Sequence, residues 1–260
     1  MADLGTKIRR RVHRQFKHVF LIRHARQAWL REVFRCQKEI AASNPHPHYP
    51  RAYRGEEIFY WLHIAKWIYE QRDHDHARKC LDIGCAYGTL ALYCRRVLGC
   101  QTYCTDLIPN YMNPSLAASN GFVFQVNNIE LDPFPWKTSF DLILLTELIE
   151  HFNFHPVPTL EKIRGLLAPG GRLYISTPDA LRWGREGHYP TYRSMPLPTR
   201  ETPYVDRHVY LYDEAEVREI VDAAGLRVVT WDYSPGVEER HLNMVIARVG
   251  DGERAPDSGR

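Results

Sequence analysis

Long apolar runs are missing from this 260-residue chain: no stretch reaches the ~18 residues a membrane-spanning helix needs, so none is expected. No secretory apolar core follows the start, and a cytoplasmic location is the expectation. Cysteine is sparse, six in all, and no C-x-x-C pair occurs. Five of the six fall between Cys80 and Cys104, and Cys100 and Cys104 lie four apart on one predicted strand. That spacing supports neither a zinc nor an iron–sulfur site, nor a disulfide scaffold at this length. The thiols read instead as buried groups in a reducing cytosol. Internal repeats are absent. Acidic residues are scarce at one end only: residues 1–40 hold 11 Lys and Arg against 3 Asp and Glu, whereas residues 41–260 hold 23 against 28. The net charge of +3 thus conceals a basic arm on a mildly acidic body. The arm is Arg-rich like an organelle transit peptide, but no serine precedes Ser43, which counts against that reading.

The rest of the composition is that of a globular protein, 44% hydrophobic and 25% charged, enough for a sizeable core. The length fits one domain with additions. Lys7–Ala42 reads as one or two helices, with Val19, Phe20, Trp29, Leu30, Val33 and Phe34 forming an apolar stripe. Arg9, Arg10, Arg11, Arg14, Lys17 and Arg23 crowd its polar side. A solvated face competes there with attraction to an anionic membrane surface, a nucleic acid or an acidic polymer. Ser43–Pro50, SNPHPHYP, reads as a linker, and Glu56–Gln71 as one aromatic-rich helix.

The most telling stretch is Cys80–Tyr93, CLDIGCAYGTLALY. An apolar run ends in the acid Asp82, a Gly84-x-x-x-Gly88 loop follows, and then a helix-forming segment. Strand, tight turn and helix start make a cradle for a nucleotide-like ligand. Gly84 and Gly88 permit close backbone approach. The carboxylate before the loop argues against a pyrophosphate, which seeks bare N–H groups, and for a ligand carrying a cation. S-adenosylmethionine, with its sulfonium and α-amino group, meets that demand. Further motifs follow in order. Asp106 ends a second strand, placed to accept two ribose hydroxyls. A third strand, 122–126, leads to Asn127, Asn128 and Ile129. A fourth, 140–145, ends in Thr146 and Glu147. A helix around 157–167 is followed by a Pro-Gly-Gly turn and a fifth strand, 172–177. The loop 178–209 is long enough to be a functional lid. Asp213, with Glu216 three residues on, caps a helix that Gly225 stops, and strands over 226–233 and 241–248 close the pattern.

In motif type and spacing, Lys79–Val249 resembles the class I S-adenosylmethionine-dependent methyltransferases. The resemblance implies an α/β, Rossmann-like, doubly wound fold: a mostly parallel seven-stranded sheet with an N-terminal helical extension. Three parts are expected: N-terminal helices over 1–75, a core over 76–249 carrying the lid 178–209, and a disordered tail over 250–260. The resemblance also implies site roles. Asp82, Gly84, Cys85 and Gly88 would hold the methionine portion, with Thr146 beneath it. Asp106 would bind the ribose, Leu107 would pack beside the adenine, and Asn128 and Ile129 would meet its edge. Asn128 stands where the family often has Asp; its amide can donate as well as accept.

Directly after the fourth strand comes Glu147-Leu148-Ile149-Glu150-His151. If that segment is helical, Glu147, Glu150 and His151 share one face near the transferring methyl. Two chemistries compete with a plain packing role. His151, assisted by Glu150, could be a general base toward the acceptor. Alternatively Glu147, Glu150 and His151, with His208 as a fourth ligand, could bind magnesium, manganese or zinc. The E-x-x-E-H pattern with a later histidine resembles the quinone-biosynthesis O-methyltransferases and the small-RNA 2′-O-methyltransferases; methyltransferases near polysaccharide genes carry it as well. Tyr189, Tyr192, Arg193, Arg200 and Tyr204 are candidates to bind the acceptor from the lid, and Trp136 reads as packing. The expected function is methylation, at oxygen, of a small-molecule or glycan-like acceptor. RNA ribose 2′-O-methylation and a non-catalytic partner subunit are the alternatives. The first gains from the basic arm but loses from the absence of a recognisable RNA-binding module.

Overall fold

A computed structural model gives the architecture. It describes residues 19–21, 23–44, 47–73, 77–185, 187–234 and 239–250. The basic residues Arg9, Arg10, Arg11, Arg14 and Lys17 and the tail over 251–260 lie outside that set.

Seven strands form one sheet: β1 (Lys79–Ile83), β2 (Gln101–Asp106), β3 (Val123–Val126), β4 (Phe140–Thr146), β5 (Leu167–Pro178), β6 (Leu226–Tyr233) and β7 (His241–Arg248). Their order is β3-β2-β1-β4-β5-β7-β6. β1 to β5 pair in parallel, and β7 inserts antiparallel between β5 and β6. Leu142–Leu145 are all buried, as a central parallel strand with both faces covered requires. The doubly wound fold expected from the motif order is the one observed. Strand order reverses between β1 and β4, so a crevice opens beyond their carboxyl ends.

Helices cover both faces. On one lie α1 (Ala28–Ser43), α2 (Arg54–Tyr60), α3 (Leu62–Gln71) and α4 (Thr89–Leu98), contributing Leu30, Val33, Ile64 and Leu92 to a shared core. The opposite core holds Leu160 and Ile163 of α6 (Pro156–Leu166) and Val217 and Ile220 of α8 (Glu214–Ala223). α8 begins with the expected capping box: Asp213 Oδ1 accepts from the Glu216 N–H, and the Asp213 N–H donates to Glu216 Oε2, each at 3.0 Å. Between β2 and β3 the short α5 (Pro114–Ser119) was not anticipated, although Asn113-Pro114 is a start signal. Asn113 accepts from the Ser115 N–H, and Pro114 needs no partner in the first turn.

Two expectations need correction. The segment over 56–71 is two helices broken at Trp61 (φ −130°, ψ 30°). The cause is Asn243 on β7, whose fully buried side chain accepts from the His63 N–H (3.1 Å) and donates to the Tyr60 carbonyl (2.9 Å). These bonds substitute for the helical ones that the break forfeits. The predicted linker is also shorter than Ser43–Pro50: α1 runs through Ser43, and one π turn (Tyr49–Tyr53) begins before Pro50. The segment 178–209 holds α7 (Ala180–Trp183) and a 3-10 turn, Tyr192–Ser194. It is fastened to the body through Tyr192, Met195 and Val209, all buried.

Candidate active site

The β1–α4 loop is tied to the end of β2. Gly84 and Cys85 donate from their backbone N–H groups to the Thr105 carbonyl (2.8 and 3.2 Å), and the Ala86 N–H donates to Asp106 Oδ2 (3.0 Å). The loop turns through positive φ at Gly84 (71°), Ala86 (43°) and Gly88 (79°). A Cβ on Gly84 would sit 2.8 Å from a Leu148 methyl, so the glycine lets the β4 loop close over the β1 loop. Gly88 stands outside the walls of the three cavities around this loop; it is the left-handed residue that opens α4, with Met112 packed against it.

Three cavities meet at Gly84. The first, about 50 Å³, has Asp106, Leu107, Asn128 and Ile129 in its wall. The second, about 20 Å³, is lined by Asp82, Cys85 and Thr146 together with Glu57 of α2. The third, about 340 Å³, joins them to Glu147, Glu150, His151 and His208. Every sequence-derived cofactor residue except Gly88 thus faces one connected cleft. Asp82 is 2% exposed, and burial first, with Asp106 second, pushes its carboxyl up to about 7. Burial also raises Asp106. At Asn128 the side-chain oxygen already accepts from the Glu130 and Leu131 N–H groups (3.1 and 3.2 Å), so its NH₂ is what it has to offer a ligand.

After β4 the chain departs from the expected helix. Glu147 takes φ +51°, and only Ile149–His151 form a 3-10 turn. This separates Glu147 from the other two side chains. One Glu147 oxygen accepts from Ser176 Oγ at 2.8 Å and the other lies 2.8 Å from His241 Nδ1. Glu150, His151 and His208 do converge: one ligand atom from each lies within 4.8 Å of the others. The predicted ligand quartet is therefore a trio among the described residues, with Glu147 turned to His241 instead. Burial, and then Glu147, push the Glu150 carboxyl well up; Thr177 Oγ1 donates to it at 3.0 Å. Burial, and then His208, lower the pKa of His151, and burial lowers that of His208, so both imidazoles are biased to the neutral form.

Of the lid candidates only Tyr204 lines the cleft. Tyr192 donates to Glu219 (2.7 Å), Arg193 pairs with the same carboxylate, Arg200 pairs with Asp132, and Tyr189 packs on the second core. Trp136 packs edge-on to Tyr103 and Phe140, as expected. The large cavity takes Tyr60 of the aromatic-rich segment into its wall, together with residues that sequence reasoning missed: Tyr53, Tyr87, Trp183 and His241. Tyr60 and Trp183 flank the His241 ring with centroids at 4.7 and 5.3 Å. Glu57 was overlooked too; it is the second of the adjacent acids Glu56-Glu57, and nothing in the local sequence sets it apart.

The family model for the methyltransferase domain matches residues 23–230, and the chain belongs to that family: it is a class I S-adenosylmethionine-dependent methyltransferase. Solved structures share the fold. The Burkholderia thailandensis 1,6-didemethyltoxoflavin-N1-methyltransferase, bound to its substrate and S-adenosylhomocysteine, superposes with a TM-score of 0.57 at 19% identity, covering 82% of this chain and 86% of that one. A Clostridium acetobutylicum S-adenosylmethionine-dependent methyltransferase gives 0.53 at 12% identity (70% and 89% covered). The magnesium protoporphyrin IX methyltransferase of Synechocystis, with S-adenosylhomocysteine, gives 0.51 at 14% (72% and 81%). No curated protein matches the sequence.

Proposed function

We propose that this chain transfers the methyl group of S-adenosylmethionine to a hydroxyl of a small, partly aromatic or glycan-like acceptor held in the 340 Å³ cavity. The observation behind it is one cleft with two ends. One end is walled by Asp82, Gly84, Asp106 and Asn128, the other by tyrosines, Trp183 and a histidine cluster. The first end suits the cofactor: Asp82 and Thr146 for the methionine portion, Asp106 for the ribose hydroxyls, and Leu107 and Ile129 for the adenine faces. The Asn128 NH₂ suits a ring nitrogen better than the adenine amino group, since its oxygen is already engaged. At the other end, aromatic walls exclude water and orient the acceptor for in-line attack. His151, held neutral by burial, can take the acceptor's proton as the C–O bond forms and the C–S bond breaks.

A second reading has its own observation, the trio Glu150, His151 and His208. Two imidazoles and a carboxylate fit a divalent cation, which would supply charge to lower the acceptor hydroxyl's pKa. The test of the main reading is tritiated methyl transfer from S-adenosylmethionine to panels of phenols, sugars and short RNA. Transfer to small hydroxylated compounds, cut at least 100-fold in His151→Ala, is the expected result. Transfer to RNA alone would move the assignment to ribose methylation. Cofactor binding without transfer to any class would favour a non-catalytic subunit.

A further inference from the structure

We propose that Glu57, on helix α2 of the N-terminal extension, is a second carboxylate receptor beside Asp82 for the α-ammonium group of the cofactor. The proposal rests on the reading of this cleft as the cofactor site, and it extends that site beyond the sheet and its loops. The 20 Å³ cavity at the end of β1 has three charged residues in its wall, Glu57, Asp82 and Glu147, all of them acids. Among the described residues no Lys, Arg or His lines it. Glu147 is committed to Ser176 and His241. Asp82, 2% exposed, takes a hydrogen bond from the backbone at Ala91. Glu57 is also 2% exposed, and it is aimed rather than loose. Its Oε1 accepts from Tyr49 Oη (2.7 Å) and Gln37 Nε2 (2.9 Å). Tyr49 Oη in turn lies 3.0 Å from Oγ1 of Thr89, the first residue of α4. Glu57 is thereby fastened over the helix start that follows the Asp82 loop.

Two buried carboxylates in the wall of one cavity, with only Arg54, outside that wall, acting as a cation on Glu57, are an unfavourable arrangement until a positive ligand arrives. Burial, its largest cause, pushes both carboxyls up to about 7, so each can ionise near neutrality once a cation is beside it. The ammonium group has three N–H donors to give and needs acceptors with no competing cation. S-adenosylmethionine carries that ammonium, and its net charge is one unit more positive than that of its thioether product. The N-terminal helices then do more than cap the acceptor: cofactor recognition passes through them.

Calorimetric titration separates the possibilities, using S-adenosylhomocysteine and its analogue lacking only the amino group. Glu57→Gln keeps an oxygen for Tyr49 and Gln37 but removes the charge. It should weaken S-adenosylhomocysteine about tenfold, the worth of one charge-assisted hydrogen bond, and leave the des-amino analogue unchanged. Equal weakening of both ligands, or of neither, would overturn the proposal. Should Glu57→Gln not fold, Glu57→Asp retracts the carboxylate by one methylene and is read the same way. Tyr49→Phe keeps the carboxylate while loosening its support, so a loss there on both ligands marks a purely structural contact. Wild-type protein that binds neither ligand would sink the cofactor reading itself, a result distinct from selective failure of the Glu57 variants.

Discussion

At the scale of single residues, Asp82 shows what burying a carboxylate costs a fold. Its ordinary pKa of 3.8 rises to about 7 in the fold, chiefly through burial. The folded state therefore holds a proton that the unfolded chain has lost, and this group's contribution to stability falls as pH rises between those values. Above about pH 7 the penalty is complete, at most about 4 kcal/mol at 1.36 kcal/mol per unit. Asp82→Asn removes it. The variant is expected to melt higher than wild type at pH 8, with the gap closing toward pH 4.5, yet to bind S-adenosylhomocysteine at least tenfold more weakly. Thermal melts at the two pH values with and without ligand check both halves; a variant that melts lower than wild type at pH 8 refutes the first. Asp82 and Asp106 were legible in the sequence because each stands next to a recognisable strand end. Glu57 and His241 were not, because nothing local distinguishes them from an ordinary helix acid and an ordinary strand histidine.

At the scale of elements, the junction between α2 and α3 depends on a side chain 180 residues away from His63. Propensity favours one helix over this aromatic-rich segment, and tertiary contact overrides it. Asn243→Ala would leave the His63 N–H and the Tyr60 carbonyl buried without partners. A loss of about 2–4 kcal/mol is expected from two such groups. Urea denaturation measures it, and an unchanged midpoint would show that the break has another cause. The element after β4 makes the same point. E-x-x-E-H aligns Glu147 with Glu150 and His151 only if the backbone is helical. The left-handed turn at Glu147 instead sends that carboxylate to Ser176 and His241. No residue type in Thr146-Glu147-Leu148 announces a positive φ, which non-glycine residues adopt only when their surroundings compel it.

At the scale of the whole molecule, the cleft is assembled from the N-terminal helices, the ends of β1, β2, β4, β5 and β7, and the 178–209 segment. Its two ends predict separable ligand behaviour. If the trio holds a divalent cation, manganese should bind to wild type and bind at least tenfold more weakly to His208→Ala, while S-adenosylhomocysteine affinity stays the same. Titration of EDTA-stripped protein with each ligand gives both numbers; manganese affinity unchanged in His208→Ala removes that residue as a ligand. No helix among the described residues is long and apolar enough to cross a membrane. The doubly wound, mostly parallel class of sheet was readable from the alternation of strands and helices, whereas the insertion of β7 between β5 and β6 was not.

The sequence alone determined the class of fold, the residues Asp82, Gly84, Asp106 and Asn128 at one end of the cleft, and the caps of α8. These depend on local chemistry: glycines in a tight loop, acids at strand tips and a capping pair three residues apart. Only the tertiary structure decided the aromatic end of the cleft, the break at Trp61, the partner of Glu147 and the place of Glu57. Each of these joins residues tens to nearly two hundred positions apart, whose meeting is set by how helices and strands pack rather than by any pattern along the chain.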